Sequence, residues 1–251
     1  MAVREEAWGS PSTQFERSSG NIHVWRASLD PPEPCVQHLS SILSDAEHAR
    51  AAQFCFERDR KRFITGRGLL RLILGRYLHI SPAALHIQAE ATGQPVLAAS
   101  QAGGIEFNVS HSHGVVLYAL TNGRRIGIDI ERIRAGPHVD ALVDRVLSPR
   151  ERAVFRALPQ EQRPAAFFCA WTRKEAYLKA CGQGLSRPLD RIDVSLSPFE
   201  PERPLSVHGD PQKPSGWSLL GLTPAPGYAA ALAHEGDDVP RLRYAQWPDW
   251  L

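Results

Sequence analysis

Asp129 and Glu131, two residues apart in Ile126-Gly127-Ile128-Asp129-Ile130-Glu131, are the first residues in this chain whose type and spacing could do chemistry. Ile126, Ile128 and Ile130 alternate with Gly127, Asp129 and Glu131, the period of two of a half-buried strand, so both carboxylates leave on the side opposite the isoleucines. Like charges so placed repel unless a cation sits between them, and hard oxygen ligands suit Mg²⁺; the competing reading is a solvated strand end. A third acid, Glu175, lies in Trp171–Ala180 between Lys174 and Lys179. At the α-helical period it falls about 40° from the centre of an apolar arc, where a carboxylate needs a cation or hydrogen-bond donors. The simpler alternative is a Glu175–Lys179 pair at i, i+4 spacing. Ser110-His111-Ser112-His113 adds hydroxyls and imidazoles; Ser110 and His111 are candidate phosphate contacts, and His113 is read as structural. Arg60, Arg67 and Arg71 form a stripe suited either to solvent or to bidentate phosphate binding.

These residues need elements to hold them. Asn21 to Leu29 reads as a strand, and Ser44-Asp45-Ala46-Glu47 has the capping-box spacing that starts a helix. Residues 54–77 read as a long helix with Phe56, Phe63, Leu70, Leu74 and Tyr77 on one stripe. Ile105 to Val109 reads as a strand running into the Ser-His turn, and Val115 to Leu120 as the next. Asn122-Gly123 then supplies a tight hairpin whose outgoing arm carries the two acids. His138 to Leu147 is amphipathic through Val139, Leu142, Val143 and Val146, and Ser148-Pro149-Arg150-Glu151 repeats the capping box. Ala165 to Ala180 is the second long helix, closed by Gly182; strands follow at 191–196, 217–222, 228–233 and 242–246. Residues 1–20 are polar and read as a flexible N-terminus.

With 251 residues and 43% hydrophobic composition the chain can bury a proper core as one large domain or two smaller ones. A net charge of +2 is too balanced for nucleic-acid binding by bulk charge. The N-terminus lacks a signal-peptide core and no apolar run is long enough to span a bilayer, so a cytoplasmic protein is expected. Cys35, Cys55, Cys169 and Cys181 show no Cys-x-x-Cys pair and read as reduced, mostly buried thiols.

Taken together, Phe107–Ser112, Ile126–Glu131 and Trp171–Ala180, followed by Gly182-Gln183-Gly184-Leu185, closely resemble the 4'-phosphopantetheinyl transferases, and the long single-chain, surfactin-synthetase-activator-like type in particular. The resemblance implies an α+β fold: a pseudo-twofold pair of similar halves, each a long helix packed on a small antiparallel sheet. The expected halves are residues 21–123 and 124–251, with the active site in the cleft between them and the chain working as a monomer. It also implies a reaction, in which the phosphopantetheine arm of coenzyme A moves to a serine of an acyl or peptidyl carrier protein of fatty-acid, polyketide or nonribosomal-peptide assembly, releasing adenosine 3',5'-bisphosphate.

Carried over residue by residue, the resemblance makes Asp129, Glu131 and Glu175 ligands of Mg²⁺. Glu175 and Lys179 are the catalytic pair, as base and as stabiliser of the leaving oxygen. Coenzyme contacts fall on Ser110, His111, Asp129, Lys179, more weakly on Lys174, and on Arg50, Arg62 and Arg67. In the turn before the Ser-His motif, where the family commonly has Gly-Lys-Pro, this chain has Gly93-Gln94-Pro95, so Gln94 is expected to offer an uncharged contact. Val139 and Val143 are candidates for carrier docking, with burial in the core as the competing reading. Two other classes remain: a metal-dependent phosphoester hydrolase, which usually needs more ligands than three acids, and a non-catalytic module that holds coenzyme A or a carrier.

Overall fold

The computed structural model describes residues 8–9, 20–90, 93–182, 188–197, 203–204, 206–207 and 216–247. The chain opens with β1 (Asn21–Ser28), then α1 (Glu33–Ser41), α2 (Asp45–Ala51) and the long α3 (Glu57–Leu78). Short elements β2 (Ile87–Ala89), β3 (Pro95–Leu97) and α4 (Ala99–Ala102) lead to β4 (Ile105–Ser112), β5 (Val115–Asn122) and β6 (Ile126–Arg132). Next come α5 (Pro137–Val146), α6 (Pro149–Ala157) and the second long helix, α7 (Arg163–Ala180). The chain ends with β7 (Ile192–Asp193), β8 (Arg203–Pro204), β9 (Ser206–Val207), β10 (Trp217–Leu222), β11 (Tyr228–Glu235) and β12 (Arg241–Gln246).

One sheet has the order β12-β1-β5-β4 and a second β6-β11-β10-β8. Three apolar clusters stack these into layers. Trp25, Tyr118 and Leu120 on one face of the first sheet meet Leu70 and Leu74 of α3. Ile22, Val24, Leu117 and Ala119 meet Ile126, Ile128, Ile130 and Leu232 between the sheets. Ala231 and Ala233 on the far face of the second sheet meet Phe167, Tyr177 and Leu178 of α7. The mixed α+β architecture is therefore as expected, a long helix on each of two small sheets.

The expected hairpin at Asn122-Gly123 is not formed. Gly123 does take a positive φ of 72°, but β5 is already bonded to β1 and β4 on its two edges, so β6 has no edge to join. It crosses to the second sheet and pairs antiparallel with β11, with Asp129 opposite Ala231. The isoleucines go into the space between the sheets, and Gly127, Asp129 and Glu131 face α7. Only glycine fits at 127: a Cβ there would sit 2.1 Å from the Ala176 carbonyl oxygen and 2.5 Å from the Ala180 nitrogen, so strand and helix touch backbone to backbone.

Further departures are local. Ser110, His111 and Ser112 belong to β4 and not to a turn, because the β4–β5 ladder continues to Ser112↔Val115. Helix α3 begins at Glu57, leaving Phe56 outside it and 70% exposed. The last strand, β12, lies in parallel beside β1 in the first sheet, so it crosses back over a division at residues 123/124. Of the cysteines only Cys169 is buried, and Cys55 is exposed. Residues 1–7, 10–19 and 183–187, which include most of the expected flexible terminus and of the glycine-rich stretch after α7, lie outside the described residues. No helix among the described residues is long and apolar enough to cross a membrane.

Both expected capping boxes are present, with the N3 glutamate in each case bonded back to the cap: Ser44 with Glu47, and Ser148 with Glu151. Each glutamate then receives a cation from a long helix, Glu47 from α3 and Glu151 from α7. Arg71 donates through Nε to Glu47 Oε2 at 2.7 Å and through one terminal nitrogen to the carbonyls of Pro82 (2.7 Å) and Leu85 (3.0 Å). Lys174 donates to Glu151 Oε2, to the Val146 carbonyl at 2.6 Å and to the Leu189 carbonyl at 3.1 Å.

Candidate active site

The acids sit where the two sheets meet. Strands β4 and β6 are edges of different sheets, yet alternate polar residues of β4 close the gap with side chains. Asn108 Oδ1 accepts from the Ile128 amide at 3.0 Å, Ser110 Oγ from the Ile130 amide at 3.4 Å and Ser112 Oγ from the Arg132 amide at 3.1 Å. The two serines also donate to the acids, Ser110 to Asp129 Oδ1 at 2.8 Å and Ser112 to Glu131 Oε2 at 2.8 Å. From α7, Lys179 Nζ reaches Asp129 Oδ1 at 2.7 Å, Ser110 Oγ at 2.9 Å and the Ile128 carbonyl at 3.2 Å. Lys179 thus pairs with Asp129 and not with Glu175, its i, i+4 neighbour, because Gly127 lets the helix settle onto the strand that carries Asp129.

The charge balance is incomplete. Asp129 is only 5% exposed, and its Oδ2, like Glu175 Oε1, is buried without a hydrogen-bond partner. Burial, then the neighbouring Asp129, pushes the Glu175 carboxyl up to about 7, against the pull of Lys179. Burial also raises Glu131; the Ser112 hydrogen bond opposes this and the Asp129 charge adds to it. Among the described residues no group of three acid, histidine or cysteine side chains is already gathered as a metal cage. The Lys179 ammonium instead supplies the positive charge beside Asp129.

The other expected residues divide. Ser110 joins the acids. His111 is on the opposite face of β4, its imidazole held below the usual range by burial and by the Lys179 and Arg62 charges. Arg62 makes a two-pronged pair with Asp30, 2.6 Å on each prong, beside Gly114, where a Cβ would lie 2.8 Å from Asp30 Oδ2. Gln94 accepts from Asn108 Nδ2 at 2.6 Å, so its oxygen serves the β4–β6 seam. Arg50 bonds Gln53 at 2.7 Å and lies over the Phe54 ring. Arg67 stands 3.5 Å from Glu47 and over Phe63.

Three expectations need correction. Lys174 is fully buried with its ammonium committed to Glu151 and two carbonyls, so no donor remains for a coenzyme. Arg71, read with Arg60 and Arg67 as a stripe facing either solvent or phosphate, is instead fully buried on Glu47. Val139 and Val143 are 6% and 7% exposed and belong to the α5–α7 core, which removes them as surface contacts for a carrier. Sequence reasoning missed Asn108 and Ser112 as site-building residues. Their signal was present, since polar residues at every second position of a buried strand must be bonded to something. It also missed a pocket of about 70 Å³ between α5 and α7, lined by Glu131, Arg134, Val139, Leu142, Phe168 and Trp171 among others.

A strand acid pair, a helix acid and a lysine thus converge beside a serine where the two sheets meet. Residues 125–233 match the 4'-phosphopantetheinyl transferase superfamily, and residues 27–122 match the family described as 4'-phosphopantetheinyl transferase, N-terminal. The 4'-phosphopantetheinyl transferase HetI of Nostoc sp. is 42% identical over 233 residues, 92% of this chain and 95% of that protein. A putative 4'-phosphopantetheinyl transferase of Synechocystis sp. is 32% identical over 70% of this chain and 72% of its own length. A Bacillus subtilis 4'-phosphopantetheinyl transferase is 29% identical over 63% of this chain and 68% of its own. The chain belongs to the 4'-phosphopantetheinyl transferase superfamily. It is an enzyme of that class, a 4'-phosphopantetheinyl transferase.

Proposed function

We propose that the protein transfers the 4'-phosphopantetheine arm of coenzyme A to a serine hydroxyl of an apo acyl or peptidyl carrier protein, in a Mg²⁺-dependent reaction that releases adenosine 3',5'-bisphosphate. The observation that carries this is the pair of orphaned oxygens, Asp129 Oδ2 and Glu175 Oε1, buried beside each other's charge with Glu131 next to them. Buried carboxylate oxygens without donors are costly unless a cation meets them, and a hard oxygen set fits Mg²⁺. Asp129, Glu131 and Glu175 would hold the ion, which when bound neutralises charge on the coenzyme pyrophosphate.

This chain's own residues supply the rest. The carrier serine oxygen bonds to the phosphorus of the phosphopantetheine arm, and the bond from that phosphorus to the departing bisphosphate breaks. Glu175, whose Oε1 has no hydrogen-bond partner, is the carboxylate poised to take the serine proton. Lys179 and the Ser110 hydroxyl, now bonded to one another and to Asp129, would turn donors from Asp129 to phosphate oxygens once Asp129 meets the cation, and His111 and Arg62 add donors at the edge of the site. We further propose that residues 21–123 and 124–251 act as two halves within one chain, with β12 exchanged back to the first sheet, and that the protein works as a monomer in the cytoplasm.

Incubation with coenzyme A, Mg²⁺ and an apo carrier, followed by intact mass spectrometry of the carrier, tests the reading. A mass gain of one phosphopantetheine on the carrier is expected. Release of adenosine bisphosphate without a carrier would favour phosphoester hydrolysis, and coenzyme binding with neither product would favour a binding module.

A further inference from the structure

Lys174 and Glu175 are neighbours on α7 with opposite status. The lysine is fully buried and bonded to Glu151, Val146 and Leu189. The glutamate has Oε1 buried without a partner. That oxygen is therefore placed by the helix that carries it. Besides its apolar packing on the second sheet, α7 is held by the backbone approach of β6 at Gly127 and by the Lys174 ammonium, which ties α7 to the last residue of α5, the first turn of α6 and the turn at Leu189. Glu151 extends the tie, since its Oε1 accepts from the Val194 amide at 2.7 Å and its Oε2 from the Ser148 amide at 2.8 Å.

The first half of the molecule provides a control. There Arg71 on α3 makes the same set of bonds, to the capping-box Glu47 and to two backbone carbonyls. The next residue is Leu72, an apolar side chain packed against the core, where α7 has Glu175. The same cation–capping-box tie thus docks a long helix in a half where no acid follows it, so docking accounts for the tie without any ligand. In the second half it sits one residue before an acid of the site.

We propose that Lys174 is a positioning residue. It acts on transfer through Glu175, by pinning α7 to the start of α6, and it touches neither the metal nor the coenzyme phosphates. This rests on the transfer reaction proposed above.

The test uses the full chain as Lys174→Met, Lys174→Arg, Glu151→Met and the double Lys174→Met/Glu151→Met. Thermal midpoints, coenzyme A affinity by calorimetry with Mg²⁺, and kcat and KM for coenzyme A with an apo carrier are measured below all midpoints. For Lys174→Met the expected result is a lowered midpoint and a kcat reduced about tenfold or more, with KM for coenzyme A within about twofold. Lys174→Arg, which copies Arg71, should return kcat to within about threefold of the parent. The double variant should melt above Lys174→Met, because no buried carboxylate is left stranded. The inference is overturned if Lys174→Met weakens coenzyme A binding about tenfold or leaves kcat unchanged, if Lys174→Arg is as impaired as Lys174→Met, or if the two single changes in midpoint simply add. Should Lys174→Met fail to fold, the double variant takes its place: a kcat reduced about tenfold or more with KM for coenzyme A within about twofold is expected, and an unchanged kcat or coenzyme A binding weakened about tenfold overturns the inference. If the parent chain transfers nothing to any carrier, the transfer reading falls, and the midpoint coupling and coenzyme affinity still decide whether the tie exists and whether Lys174 meets phosphate.

Discussion

Asp129 and Glu175 each carry a buried oxygen with no donor, and that shared deficit makes their behaviour predictable. Glu175 titrates at about 7 against an ordinary 4.5. Between those values the unfolded chain is ionised and the native chain protonated, so the unfolded state binds fewer protons and stability falls as pH rises through this window. In chelator, Glu175→Gln should therefore be more stable than the parent at pH 8 by about 1–3 kcal/mol and nearly equal to it at pH 5, read from urea denaturation. A parent that gains stability from pH 5 to 8 relative to the variant would contradict this. Asp129→Ala removes both an orphaned oxygen and the partner of Lys179, and should cut transfer by about a hundredfold or more at saturating Mg²⁺ in the carrier mass assay. The acids were legible in the sequence because a two-residue period on a strand and an acid near an apolar helix face are local patterns. Whether Lys179 would choose Glu175 or Asp129 was not, since that depends on how closely α7 approaches β6, which is a tertiary fact.

Strand β6 and helix α7 are positioned by two features that a reading of isolated elements does not reveal. One is Gly127, where any side chain would overlap the Ala176 carbonyl. Gly127→Ala should push the acid-bearing strand and helix apart, lowering stability by about 3 kcal/mol in denaturant melts and transfer with it. A variant of parental stability and activity would show that the contact is looser than drawn. The other is the seam of Asn108, Ser110 and Ser112, whose side chains replace a backbone ladder between β4 and β6. Asn108→Ala leaves the Ile128 amide buried and unbonded, an expected loss of about 1–3 kcal/mol, although Asn108 itself touches no acid. Element types along the chain follow from periodicity and caps, and both capping boxes formed where their spacing indicates. Strand partnership does not follow. The Asn-Gly turn after β5 carries a strong hairpin signal, yet both edges of β5 are occupied, and the apolar face of β6 finds its burial between the sheets.

At the scale of the molecule, the last described strand joins the sheet of the first. Strand β12 pairs in parallel with β1, and the residue after it, Trp247, is 4% exposed, packs on Trp25 at 5.8 Å between ring centroids and lies under Arg76 of α3. Residues 241–247 thus supply an edge strand and a core aromatic to the sheet of β1, while the isoleucines of β6 complete the apolar layer between the sheets. The apolar layer between the sheets draws on residues from both ends of the chain, so unfolding should be cooperative across the whole chain. Trp247→Ala, far in sequence from Asp129, Glu131 and Glu175, should lower stability by about 3–5 kcal/mol. In calorimetry it should shift one transition that remains single, and coenzyme A affinity measured well below that transition should be unchanged. Two resolved transitions, one moving and one fixed, would mean that the halves fold independently and that the acids depend on their own half alone.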